Sequence, residues 1–234
     1  MIQEEENLKT KHIMNAKSVN WITDKILEEN KKASVSMYKF IETDFITCLE
    51  YVPLTEEHLS VYSFRFASMI LRIGPELLRL LNIVLFDPNR SACFDFDCLK
   101  PLLVELQEKC NKRNDSFLDY FNVLSVVMSN QTSRTAVKVT PLNKYIIPFE
   151  VELRKGRKII PWWEDGYNAL RHRVINEFKG SATLKNTLFA LSALWFLHYE
   201  FDQRYPHSFY SEIFEDIQDK ESNDAKTLGL LSYK

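Results

Sequence analysis

Glycine occurs only five times in this chain of 234 residues. Turn-rich sandwiches and barrels need more backbone freedom than that, so the scarcity points to helices. Cysteine is scarcer still. Cys48, Cys93, Cys98 and Cys110 include no C-x-x-C pair, which argues against a thiolate metal site or redox motif and leaves reduced, structural thiols. No apolar run reaches the roughly 18 residues of a membrane span; "TLFALSALWFL" at 187–197 is shorter and reads as a helix buried in protein. Charge of one sign is lacking too. With 30 Lys and Arg against 32 Asp and Glu, the net charge of -2 gives no overall attraction to nucleic acid, so any such contact must come from a local site. A Gly-rich phosphate loop, a G-x-S-x-G elbow and an H-E-x-x-H pair are all absent. The opening "MIQEEENLKTKH" is acidic where a secretory signal is basic and then apolar, so a cytoplasmic location is the expectation.

What the chain does contain is helical periodicity. Hydrophobic residues make up 45% of it, ample for a core. Residues 1–33 read as a partly ordered arm, 34–203 as one helical domain and 204–234 as a polar tail. Tyr38, Ile41, Phe45 and Leu49 recur at helical spacing, and Pro53 ends that run. A longer element follows with Leu59, Tyr62, Phe66, Ile70 and Ile73 on one stripe, continued by Leu77, Leu78, Leu81 and Leu85; Gly74 and Pro75 should kink or split it. Two more amphipathic helices are expected at 97–110 and 116–128. Residues 136–160 alternate apolar and polar and carry β-branched side chains, which predicts a small β-ribbon with "RKGRK" at 154–158 as its turn. Helix is expected again from Trp162 to Phe178, and a last long helix after Ala182. The fold class is therefore mainly α, a helical bundle with a β-ribbon insertion.

The densest chemistry lies in "PWWEDGYNALRHRVINEF", 161–178. Wound at 100° per residue, Trp163, Tyr167, Leu170, Val174 and Phe178 share a core stripe, while Asn168 and His172 stack on another flank with Arg171 between. An imidazole that titrates near neutrality beside a fixed guanidinium can bind a phosphate and move a proton. The alternative is a solvated helix face. Trp162 and Trp163 are expected to plug the junction between ribbon and bundle, and His198 to be a hydrogen-bonded core residue. "FDFD" at 94–97 lacks the His or Glu cluster a metal site needs. No metal or cofactor is expected, and His12, His58 and His207 show no partner in the sequence.

Trp162, Trp163, Tyr167, Asn168, Arg171, His172, Arg173, Ala182 and Thr183 together resemble the C-terminal motif of a family of uncharacterised prokaryotic helical proteins related to the HEPN superfamily. The likeness covers about residues 145–200. It implies a HEPN-like bundle that dimerises, with polar residues facing one another across a cleft. Many HEPN members are metal-independent ribonucleases that use an Arg-x4-6-His motif, which is absent here, and others bind nucleotides or scaffold a partner. The resemblance thus implies binding of RNA, a nucleotide or another phosphate ligand through Asn168, Arg171, His172 and Arg173, with Tyr167 beside them. For cleavage His172 is the candidate base, Arg171 or Arg173 the phosphate cation, and Asn168 the group that orients the imidazole. The other expectation is a non-catalytic dimeric interaction or scaffold protein in a defence or toxin-antitoxin-like system. A homodimer is also expected because the last helix is apolar nearly all round.

Overall fold

The computed structural model describes residues 29, 32–86, 104–109, 117, 119, 120, 122, 135–204, 210–219, 228–231 and 233. Most of the expected N-terminal arm, the "FDFD" stretch, Cys93, Cys98, Cys110, His12 and His207 lie outside these residues. The chain divides into two compact units, 1–37 and 38–234. In the first, residues 29 and 32–37 are helical. The second unit, 38–234, holds the rest of the described structure.

Of the interpretable residues, 65% are helical, and the rest of the regular structure is a small antiparallel sheet. Helix α1 covers 38–49 and buries Tyr38, Ile41 and Phe45 completely. A short 3-10 turn at Glu56–His58 leads to α2, Phe64–Phe86. Ser63 caps α2, its hydroxyl accepting from the Phe66 N–H at 3.1 Å. Helical residues recur at 104–109 (α3) and at 117, 119, 120 and 122.

Of the kink or split expected at Gly74–Pro75, the split does not occur, because Pro75 lies inside one continuous α2. Its ring removes the hydrogen bond to the Leu71 carbonyl. Pro75 is exposed and Leu71 is 39% exposed, so that carbonyl sits on the side of the helix that meets water. Gly74 on the inner side is there for space: a Cβ would stand 2.1 Å from the Tyr167 ring.

Strands β1 (Thr135–Val139) and β2 (Lys144–Ile146) pair antiparallel, with Val137 opposite Ile146 and Val139 opposite Lys144. Strands β3 (Glu152–Arg154) and β4 (Arg157–Ile159) form a separate hairpin across Lys155 and Gly156. Both turn residues have positive φ, 51° and 76°, which suits the twist of a two-residue hairpin. The expected ribbon is thus two small antiparallel pairings. The larger gains a third strand from the presumed tail, since β5 (Phe214–Asp219) pairs with β1 in the order β2-β1-β5. A buried carboxylate fixes the approach to β5. Glu42 accepts from the Tyr38 hydroxyl at 2.8 Å, from the Glu212 N–H at 3.1 Å and from Ser211.

Trp162–Asn168 winds as a π-helix, then α4 (Ala169–His172) and α5 (Val174–Ser181) follow, broken at Arg173 with φ −133° and ψ 21°. The expected single helix from 162 to 178 is therefore three pieces. Helix α6, Leu184–Arg204, is the centre of the core. From Asn186 to His198 every one of its residues is buried. It packs on α2; His198 meets Tyr38 of α1, Trp195 meets Phe214 of β5, and Phe189 meets Tyr233. The stretch from Asn186 to His198, whose apolar character had suggested a second copy, is thus buried within the one chain. Among the described residues no helix is long and apolar enough to cross a membrane.

Gly74→Ala tests the contact between α2 and the π-helix. Alanine is the better helix former by about 1 kcal/mol, but Tyr167 is 5% exposed and packed 4.5 Å from Trp163, so its ring has nowhere to go. Overpacking of this kind costs about 1–3 kcal/mol. The urea midpoint should fall; a rise would show that the ring yields freely.

Candidate functional site

The wide π turn settles where the candidate residues go. Pro161 is tolerated at its start, where a missing N–H costs nothing. Trp162 and Trp163 are 1% and 8% exposed, and the Trp162 Nε1–H donates to the Pro148 carbonyl at 2.6 Å. Phe117 stacks on Trp163 with ring centroids 3.9 Å apart. Tyr167 is buried with them. Asn168 is half-buried, and its amide donates to Glu164 Oε2 at 3.1 Å rather than to His172. Arg171, His172 and Arg173 are all exposed at the end of α4. Arg173 bonds Glu177 at 3.1 Å and lies 3.8 Å from Glu164. Among the described residues, Arg171 and His172 have no hydrogen-bond partner. The structure therefore gathers Asn168 and Arg173 around Glu164 and leaves Arg171 and His172 facing solvent.

Beside this cluster opens a groove of about 860 Å³, and Glu177 belongs to its wall. Five charged residues line it: Glu56, Asp165, Glu177, Lys179 and Lys185. Each carboxylate is already engaged by a cation from outside the groove. Arg154 grips Asp165 with two bonds of 2.7 and 3.0 Å, Lys144 holds Glu56, and Arg173 holds Glu177. The Asp165 bonds push the Arg154 pKa up, against an opposing effect of burial and with help from Glu152. The two lysines are different. Among the described residues neither has a carboxylate within ion-pair distance. Lys179 lies 5.7 Å from the Tyr62 ring centroid, and Lys185 lies 4.9 Å from that of Tyr233 and donates to its carbonyl oxygen. Burial lowers the Lys185 pKa, and Glu150 at longer range only partly restores it.

The groove has a rigid floor. Residues 59–63 are laced to 182–185 by main-chain bonds: Ser63 N–H to the Ala182 carbonyl (3.0 Å), Leu184 N–H to Val61 (2.8 Å) and Lys185 N–H to Leu59 (3.0 Å). These bonds take up the first free N–H groups of α6, and Thr183 Oγ1 caps the Asn186 N–H at 3.2 Å. An anion in the groove would therefore meet side chains, since the helix end is already closed. Asn186, 2% exposed, donates to the carbonyls of Ser181 at 2.8 Å and Gly180 at 3.2 Å, and accepts from the Tyr233 hydroxyl. Burial raises the Tyr233 pKa, with Asp165 adding to it.

Lys185, Asn186 and Tyr233 were not among the residues that the sequence singled out. The adjacent polar pair "KN" in an otherwise apolar helix was a readable signal for the first two. Tyr233 gave none, since only the return of residues 228–231 to β2 brings it here, through Tyr145 N–H to the Gly229 carbonyl (3.1 Å) and Leu231 N–H to that of Tyr145 (2.8 Å). Among the described residues, no group of three His, Cys, Asp or Glu side chains is placed to hold a metal. No family model, no curated protein and no solved structure matches this chain.

Asn186→Ala would strip two carbonyls and a buried hydroxyl of their partner. A single unsatisfied buried group costs about 1–3 kcal/mol, so urea denaturation should show a loss of at least that size. Wild-type stability in this variant would mean that water already serves those groups.

Proposed function

We propose that the protein binds a phosphate-bearing ligand, RNA or a nucleotide, in the groove beside the Asn168-Arg171-His172-Arg173 cluster. One observation carries this reading: every carboxylate in the groove is paired, while Lys185 is half-buried and has no carboxylate of its own among the described residues. A partly desolvated ammonium facing a main-chain carbonyl is a charge without full compensation. A phosphate oxygen would compensate it with a short charge-assisted hydrogen bond. Lys179 adds a second cation on the same wall. The Arg173–Glu177 pair joins the groove to α4, where Arg171 and His172 offer further contacts to a longer polyanion, so the HEPN resemblance and the groove support the same ligand class.

The reading favours binding over cleavage. A general base has to be held in place, and the Asn168 amide, expected to orient His172, is turned to Glu164 instead. Catalysis by His172 and Arg171 has its own test: if the wild type cleaves single-stranded RNA without metal and His172→Ala does not, the ribonuclease assignment stands. Retained cleavage in that variant removes it. A dimeric scaffold, the alternative reading, would bind no anion in the groove.

Calorimetric titration with inorganic pyrophosphate tests the proposal. Replacing a charged donor by a neutral one costs about 1.5–3 kcal/mol, so Lys185→Gln should weaken binding by roughly tenfold or more. Lys158→Gln, on the exposed hairpin, should leave it unchanged. Equal affinity of wild type and Lys185→Gln, or no binding by the wild type, would overturn the reading.

A further inference from the structure

Phe64 is 82% exposed, on the first turn of a helix whose inner face is buried. Its ring is not isolated. It lies 4.6 Å from Phe178 at a tilt of 38°, and Phe178 meets Tyr62 edge-on at 6.2 Å. Tyr62 is itself 44% exposed, and the Lys179 ammonium stands beside its ring. Three aromatic rings thus form a surface cluster that shares Lys179 with the groove.

The rings are also fixed in position. Tyr62 bridges to Thr183, and the bonds from Ser63, Leu184 and Lys185 tie this segment to the groove floor. Phe64 follows directly on the capping Ser63. Tyr62 thus sits on the laced backbone, Phe64 opens the helix that follows it, and Phe178 and Lys179 end the helix that leads into residues 182–185.

We propose that the cluster of Phe64, Tyr62 and Phe178 is a stacking platform for a nucleobase whose phosphate lies at Lys179 and Lys185. The inference rests on the phosphate reading of the groove and adds to it the surface that holds the base. An aromatic ring exposed next to cations is what unstacked bases use, because every base has a π-face and its backbone brings a phosphate close by. A second copy of this chain is the poorer occupant. The Lys179 ammonium stands beside the Tyr62 ring, and a contact patch centred on these rings in two identical chains would bring two such cations toward one another.

The test compares three probes on the same protein by calorimetry: pyrophosphate, ADP and an eight-residue single-stranded oligonucleotide. Stacking contributes roughly fivefold to a hundredfold per base, so ADP or the oligonucleotide should bind about tenfold tighter than pyrophosphate. Phe64→Ala should remove that gain and leave pyrophosphate affinity unchanged, with the circular dichroism of the variant matching wild type. A gain with ADP identifies a free nucleotide as the source, and a gain confined to the oligonucleotide identifies a single strand. Pyrophosphate binding with no gain for either nucleotide probe overturns the platform and spares the groove; failure of all three probes overturns both. Unchanged nucleotide affinity in Phe64→Ala also overturns the platform, and so does a fall in sedimented mass from dimer to monomer without loss of nucleotide binding, which would make the rings an interface.

Discussion

A helical stretch that is apolar nearly all round has to be enclosed, and the middle of α6 is such a stretch. Its residues from Asn186 to His198 are buried without exception, so helices, strands and the end of the described chain are all drawn around it. α2 packs along it, α1 and β5 supply Tyr38 and Phe214, and the returning segment at 228–233 brings Tyr233 onto Phe189. Just before that buried run, in the first turn, the enclosure is incomplete. There Lys185 is half-buried, and there the polar groove opens. The site is thus placed where the burial of α6 begins.

How that first turn is closed decides what the groove can offer. The N–H groups of Leu184 and Lys185 are spent on residues 61 and 59, and the carbonyls of Gly180 and Ser181 on Asn186. With the backbone satisfied, side chains carry the remaining electrostatics, and these are unequal. The carboxylates are paired with cations from outside the groove, and among the described residues the two lysines have no carboxylate partner, which is the asymmetry the proposed anion site rests on. Counting charged residues would give three acids against two bases and the opposite sign.

Much of the scaffold was legible in the sequence. Helical spacing marked α1 and α2, and alternation with Gly156 marked the β3–β4 hairpin, because local periodicity and turn chemistry act within a few residues. The failures have specific causes. Pro75 suggested a kink or a split, yet α2 continues through it, with the freed Leu71 carbonyl on the solvent side and Gly74 leaving room for Tyr167. Residues 162–178 looked like one α-helix, since hydrophobic periodicity does not distinguish a π turn or a break at Arg173 from a regular repeat. β5 was missed because its partner is β1, about 80 residues away, and the carboxylate of Glu42 that anchors its approach is more remote still, 170 residues from Glu212.

The candidate site was legible in part. The polar residues of 168–173 were visible as a cluster, but which of them meet depends on Glu164, whose role no spacing rule announced. Lys185 and Tyr233 come together from positions 48 residues apart, a closure only the folded chain reveals. The account stands on the state of one ammonium, and titrating Lys185 by NMR with 13Cε-labelled lysine measures it directly, the signal being assigned by Lys185→Arg. Burial disfavours its charged form, so its pKa in the free protein should lie below that of an ordinary lysine. A bound anion favours the charged form, so pyrophosphate should move the pKa upward. A Lys185 that titrates like an exposed lysine and does not respond to pyrophosphate would contradict the account.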